Sequence, residues 1–294
     1  MRQSNATPTP KLVDAEALPK SVDALHSLIA EQQQQLSARL KLVAVYLVEH
    51  PQQVAFNTLA DIAKAAGVHA STLVRFANHF GFGGFSELQK LYKNQLLQHP
   101  SNYRERISQL KKTDGENADS SPAHLLHEFI DGNQLALSLL QQQVAPKLLD
   151  EAVETLVKAK EVFICGIRRV YPVATFLNYT LSQMDVRCSL IDGQGSMQTE
   201  QGKWMDEASA LIAITFNPYG KIPKETVELA RRKNAKIILI TDSELCPLAP
   251  LADHLFIVRE AEVRAFRSLN STLCLAQTLC VALGYRKQDN TPGQ

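Results

Sequence analysis

The sequence predicts an α/β protein in two parts, a small all-α unit followed by a doubly wound parallel sheet with helices on both faces. Three observations predict it. In the first part, Leu36, Leu40, Val43, Ala44 and Leu47 mark one face of a helix at the i, i+4, i+7 spacing, and two shorter helical stripes follow. In the second part, short β-branched runs at 161–165, 187–191, 211–216, 236–241 and 254–258 are separated by helical patterns, as a parallel sheet requires. Around 100–122 the apolar pattern lapses into a polar stretch, Lys111 to Pro122, with the composition of a linker. At 294 residues, 45% of them hydrophobic, the chain can fill two ordinary cores.

In chain order, 1–17 is rich in Thr, Pro, Gln and Ala and is expected to fray. The glutamine run 32–35 reads as the polar start of the first helix, which His50-Pro51 ends. The stretch 58–81 reads as two short helices around a tight turn. Thr58 and Asp61 form a helix-start signal that also sets an acid at the positive end of the helix, and Leu59, Ile62, Ala63 and Ala66 make its buried face. Gly67 follows, where a left-handed backbone costs glycine little. Leu73, Phe76, Ala77 and Phe80 then repeat the buried spacing, which turns Ser71, Thr72, Arg75, Asn78 and His79 outward. Those side chains can reach base edges and phosphates. Glycines 81, 83 and 84 close this helix, and another starts at Ser86 with Lys90 and Lys93 as phosphate contacts. A plain helical hairpin in an all-α domain is the alternative reading.

Charge by segment favours the nucleic-acid reading. The whole chain has a net charge of only +1, yet 36–112 holds ten Lys and Arg against four Asp and Glu, whereas 113–294 holds 18 against 22.

The run 58–88, with Leu59-Ala60-Asp61-Ile62-Ala63, Gly67-Val68, Ser71-Thr72-Leu73-Val74-Arg75-Phe76 and Phe80-Gly81-Phe82-Gly83-Gly84-Phe85, resembles the DNA-binding domain of the RpiR (MurR/RpiR) family of bacterial transcriptional regulators. The resemblance extends from about Leu36 to Leu283. It implies a C-terminal SIS domain, a sugar-isomerase-like fold that senses phosphorylated sugars. Where the family usually has a serine after the Gly-Val turn this chain has His69, so Ser71 or Thr72 is expected to take over the helix cap. The domain limits expected are a polar arm and helix start at 1–35, the helix-turn-helix unit at 36–98, a linker at 99–123, the SIS-like unit at 124–288 and a tail at 289–294. Thr58, Ser71, Thr72, Arg75, Asn78, His79, Lys90 and Lys93 are the expected DNA-binding set.

In an open parallel sheet ligands bind beyond the carboxyl ends of strands, where loops feed helix N-termini. Two such loops stand out, 165–174 with Arg168 and Arg169, and 214–223. Against the SIS pattern, Gly166 keeps the first glycine, Arg168 occupies the second and Val170 the phosphate-binding serine. In the second loop Pro218 stands at a glycine, Gly220 at a threonine and Ile222 at a common acid. Guanidinium groups can replace the lost donors, since they grip carboxylate or phosphate in a bidentate way. Arg168, Arg169, Tyr171, Thr215, Asn217, Tyr219 and Lys221 are therefore the expected effector site, for a small anionic metabolite. The alternative is that both arginines are solvated surface charges or an interdomain salt-bridge pair.

Trp204 reads as a partly buried packing residue, and the apolar helix of Leu269, Leu273, Ala276, Cys280 and Leu283 as a dimer interface. Asp192-Gly193-Gln194-Gly195-Ser196 lacks dinucleotide spacing. The five cysteines have no CxxC spacing and read as small buried hydrophobes; no metal, cofactor or catalytic residue is expected. There is no apolar run long enough for a membrane span. The expectation is a cytoplasmic, ligand-responsive regulator that binds double-stranded operator DNA as a homodimer or tetramer. The rival is an SIS-type sugar-phosphate aldose-ketose isomerase, with Glu200, Glu225 and His254 as its available acid/base groups.

Overall fold

The computed structural model describes residues 18–32, 34–98, 103–113 and 119–289, so the expected frayed arm and the tail beyond residue 289 lie outside the described residues. The chain divides into two compact units, Met1–Gln98 and His99–Gln294.

The first unit is all-helical: α1 (Val22–Gln32), α2 (Ala38–Glu49), α3 (Pro51–Phe56), α4 (Leu59–Ala65), α5 (Ala70–His79) and α6 (Phe85–Gln98). Helix α1 precedes the helix the sequence predicts first. The Ser21 hydroxyl accepts from the Ala24 N–H at 3.1 Å, and Val22, Leu25 and Ile29 are buried along one face. Gln32 therefore ends α1, and the glutamine run does not open the next helix. Ser37 starts α2 instead, because its hydroxyl can accept from the Leu40 N–H and glutamine offers no such cap. Pro51 ends α2 and is the first residue of α3, where its missing N–H is no loss. The Gln89 amide of α6 donates to the Val54 and Asn57 carbonyls at 2.9 and 3.0 Å, satisfying the end of α3. Val43, Leu47, Val54, Ile62, Leu73, Phe76, Leu88 and Tyr92 are buried in this unit.

The second unit begins with α7 (Tyr103–Thr113), which lies within the segment expected as a linker, then α8 (Pro122–Gln143) and α9 (Pro146–Lys158). Next come β1 (Glu161–Gly166), α10 (Tyr171–Gln183), β2 (Cys188–Ile191), α11 (Gln198–Gly202), β3 (Ser209–Ile214), α12 (Lys221–Arg232), β4 (Lys236–Thr241), β5 (His254–Ile257), β6 (Glu262–Val263), β7 (Phe266–Arg267) and α13 (Asn270–Asp289). Strands β1 to β5 form one parallel sheet in the order β2-β1-β3-β4-β5, with Ile164 opposite Leu190 on one side and Ile212 on the other. The five predicted runs are these five strands.

Side chains alternate between the two faces, as the period of a strand demands. Val162, Ile164, Ile212, Ile238, Ile240 and Phe256 pack with α9, α10 and α13, whereas Phe163, Cys165, Leu211, Ala213, Ile237 and Leu239 pack with α12. The apolar stripe of α13, with Leu275, Ala276, Leu279, Cys280 and Leu283, is thus spent on the chain's own core rather than on the expected dimer interface. Trp204 is 74% exposed, with the Lys203 ammonium 4.8 Å from its ring centre, so it is not a packing residue. Cysteines 165, 246 and 280 are buried as expected, but Cys274 is exposed on α13 and all five are free. Among the described residues no helix is long and apolar enough to cross a membrane.

Candidate DNA interface and effector site

Helices α4 and α5 form the predicted pair. The Thr58 hydroxyl accepts from the Asp61 N–H at 3.2 Å and donates to the Asp61 carboxylate at 2.6 Å, so it is engaged as a cap, one worth about 1 kcal/mol. Gly67 turns the chain with φ +66°, and the Val68 N–H closes the turn on the Ala63 carbonyl at 2.9 Å. His69 caps α5 by position without a side-chain bond, and neither Ser71 nor Thr72 takes over, because both lie inside the helix.

Ser71, Arg75, Asn78 and His79 are exposed, as are Lys90 and Lys93 on α6. Thr72 is not: it is 1% exposed, four residues before the buried Phe76 and hence on its side of the helix. Its hydroxyl accepts a 3.5 Å contact from the Arg75 guanidinium. His79 Nε2 lies 3.0 Å from the Gln32 amide oxygen, so α1 reaches the end of α5.

In the second unit both expected loops leave the carboxyl edge of the sheet, and they touch: a Cβ on Gly220 would lie 3.1 Å from the Ile167 side chain. Gly166 is glycine for want of room, since a Cβ there would meet Ala174 at 3.0 Å. Arg168 stands in left-handed backbone, φ +56°, which explains why glycine suits that position in the SIS pattern. Its side chain is exposed.

Arg169 is half-buried. Its guanidinium lies 5.4 Å from the Phe216 ring centre, and its Nη1 is buried with no hydrogen-bond partner among the described residues. Burial, and after it the like charge of Arg267, pull its pKa below the ordinary arginine value despite the Asp242 and Glu260 charges. Asp242, just past β4, holds the second loop: it accepts from the Asn217 N–H at 3.0 Å, the Tyr219 hydroxyl at 3.2 Å and Arg267 at 3.1 Å. Burial and the Asp242 charge push the Tyr219 phenol far up, so it acts as a donor.

The structure thus brings Arg169, Asn217 and Tyr219 to one cluster. Tyr171 is 39% exposed at the start of α10; Lys221 points to solvent and pairs with Glu225 at 3.4 Å. Thr215 is 3% exposed, in the core below the loop. Sequence reasoning missed Asp242 and Arg267. Asp242 follows a strand at the sheet's carboxyl edge, the place where such residues are to be sought, but Arg267 comes from a hairpin that no pattern announced. Of the acid/base candidates, His254 opens β5 at the opposite edge of the sheet and lies 2.8 Å from the Thr155 hydroxyl. Glu225 is engaged by Lys221 and by Gln198 at 3.4 Å, and Glu200 is exposed on α11.

Comparison with known proteins matches the model of the helix-turn-helix domain of the rpiR family over residues 24–99 and that of the SIS domain over residues 155–282. An HTH-type transcriptional regulator of Haemophilus influenzae is 24% identical over 224 residues, 76% of this chain and 76% of the relative. HexR, an HTH-type transcriptional regulator of Pseudomonas aeruginosa, is 22% identical over 207 residues, 70% of this chain and 69% of the relative. The NanR protein of Vibrio vulnificus, solved in complex with ManNAc-6P, shares the fold with a TM-score of 0.54 at 17% identity, over 89% of this chain and 92% of that one. With the rpiR helix-turn-helix followed by an SIS domain, matched in that order along most of its length, this chain belongs to the RpiR family of DNA-binding transcriptional regulators.

Proposed function

We propose that this regulator reads operator DNA with the outward face of α5, senses a small anionic metabolite at the Arg169 cluster, and carries out no reaction on it. Ser71, Arg75 and Asn78 would face base edges, and Lys90 and Lys93 phosphates. The observation that carries the sensing role is the half-buried Arg169 with a buried nitrogen that no group among the described residues satisfies. Leaving a charged donor buried and unpaired costs more than an ordinary hydrogen bond gains, and an incoming oxyanion removes that cost. The NanR structure contains ManNAc-6P, which makes phosphorylated sugars the first class to test. Against catalysis stand the place of His254 at the far edge of the sheet and the engagement of Glu225 by its neighbours. As a regulator of chromosomal operators the protein would act in the cytoplasm, as a homodimer or larger symmetric oligomer.

The test sets footprinting on genomic fragments against isomerase assays on pentose and hexosamine phosphates. Protection of discrete sites, changed by an anionic metabolite and without turnover, is expected. Turnover with no protected site would reverse the reading.

A further inference from the structure

The β6–β7 hairpin joins the anion cluster to the chain segment that follows the DNA-binding unit. On one side its Arg267 donates to Asp242 at 3.1 Å and to Glu262 at 3.3 Å. On the other, Arg264 grips the Glu128 carboxylate of α8 with two bonds of 2.6 and 3.0 Å and donates to the Asp119 carbonyl at 3.1 Å. Phe266 stacks on Tyr103 of α7, ring centres 5.2 Å apart and planes 13° from parallel. Val263 presses on α8 at Gly132, where a Cβ would come within 2.7 Å of its side chain.

The hairpin turn is itself under strain. Arg264 and Ala265 both adopt left-handed backbone, φ +48° and +60°, in a two-residue turn that favours Asn-Gly. Such backbone persists where the surroundings hold it, and here Glu128 and Asp119 do so.

Arg267 is also the second guanidinium near Arg169, close enough for its charge to be felt there. An oxyanion beside the unsatisfied Nη1 of Arg169 would attract both arginines and repel the Asp242 carboxylate. Arg267 then has reason to exchange Asp242 for the ligand.

We propose that Arg267 is the second arm of the anion clamp, closing with Arg169 on a carboxylate or phosphate group, and that the hairpin carries this exchange to α7 and α8. This rests on the reading of the Arg169 cluster as an effector site. As Arg267 leaves Asp242, the turn at 264–265 follows, and the Tyr103–Phe266 stack and the Arg264–Glu128 pair shift with it. Helix α7 is the first helix of the sensor unit and follows α6 in the chain, so a shift there is a shift at the connection to the DNA-binding helices.

The test uses the full chain with inorganic phosphate and with malonate as probes, reading affinity by calorimetry and backbone motion by hydrogen exchange. At least one probe should bind and change exchange at 103–113 and 262–267, phosphate alone marking a phosphate-bearing ligand and malonate alone a carboxylate. R267Q should weaken that probe about tenfold or more. Arg264→Ala and, as a milder change, Glu128→Gln should bind it nearly as wild type does while α7 no longer responds. Arg169-dependent binding with unchanged exchange at 103–113 and 262–267, or R267Q binding as tightly as wild type, overturns the hairpin proposal and leaves the Arg169 site standing. Binding of neither probe, or equal binding by Arg169→Gln, removes the site and the proposal with it.

Discussion

Arg75 carries the residue-scale argument for DNA recognition. It is exposed on α5, and among the described residues its guanidinium makes a 3.5 Å contact to the buried Thr72 as its hydrogen bond, which leaves the rest of the group open to meet a base. Arg75→Ala is expected to cost about 1–3 kcal/mol of specific binding and to relax the preference at one position per half-site, as measured by binding-site selection. Lys90→Ala and Lys93→Ala should instead flatten the salt dependence of binding. Gly67 gives a cleaner stability test. Its φ of +66° disfavours any side chain, yet nothing lies within 4 Å of a built Cβ, so Gly67→Ala measures backbone strain without a clash. A loss of about 1–2 kcal/mol in urea unfolding of the helical unit is expected. At this scale most of the outward face of α5 was legible, since the exposure of Ser71, Arg75, Asn78 and His79 follows from the buried Leu73, Phe76, Ala77 and Phe80. Thr72 was misplaced because its i+4 relation to Phe76 puts a polar residue on the buried side, which residue type alone does not reveal.

At the scale of elements, the sheet could be read because short runs rich in apolar residues alternate with helical patterns; β1, β3 and β4 are almost wholly buried, whereas the edge strands β2 and β5 are only partly so. Helix α1 was less legible. Val22, Leu25 and Ile29 lie at a helical spacing that the reading of 1–35 as a polar arm passed over, and Leu25 and Ile29 are fully buried in the helical unit. Ile29→Ala should therefore cost about 2–5 kcal/mol of that unit's stability, against almost nothing if α1 were a loose arm. The hairpin β6–β7 gave no signal because Arg264-Ala265 is not a turn sequence; ion pairs to distant residues hold it. Strand edges carry a pH dependence. Burial alone would raise the Asp253 pKa, but the Ile237 N–H, Lys236 and Arg231 outweigh it and hold the carboxyl below the ordinary aspartate value. A depressed pKa in the folded state means stability that is present above the unfolded value, about 3.9, and is lost as pH falls through the folded one. Asp253→Asn should lower stability at neutral pH and flatten the acid-side decline of the sheet unit's unfolding free energy.

At the scale of the molecule, an α/β sensor on a helix-turn-helix reader is expected to bind two-fold symmetric operators. Helix α8 leaves Leu126, Ile130, Leu135 and Leu139 exposed on a single chain, apolar surface that suits association better than solvent. Light scattering at micromolar concentration should give a dimer or larger, and footprints should show half-sites about 34 Å apart or a multiple of that. A monomer protecting one half-site would contradict both. The central claim is that an anion at Arg169 sets DNA affinity, and an effector can do so only through its different affinity for two conformations. The measurement that tests it most directly is operator affinity across an effector titration, for wild type and for Arg169→Ala. The account predicts equal effector-free affinities, a shift of about 5–150-fold in wild type and none in the variant. A variant that responds at the wild-type effector concentration would contradict it.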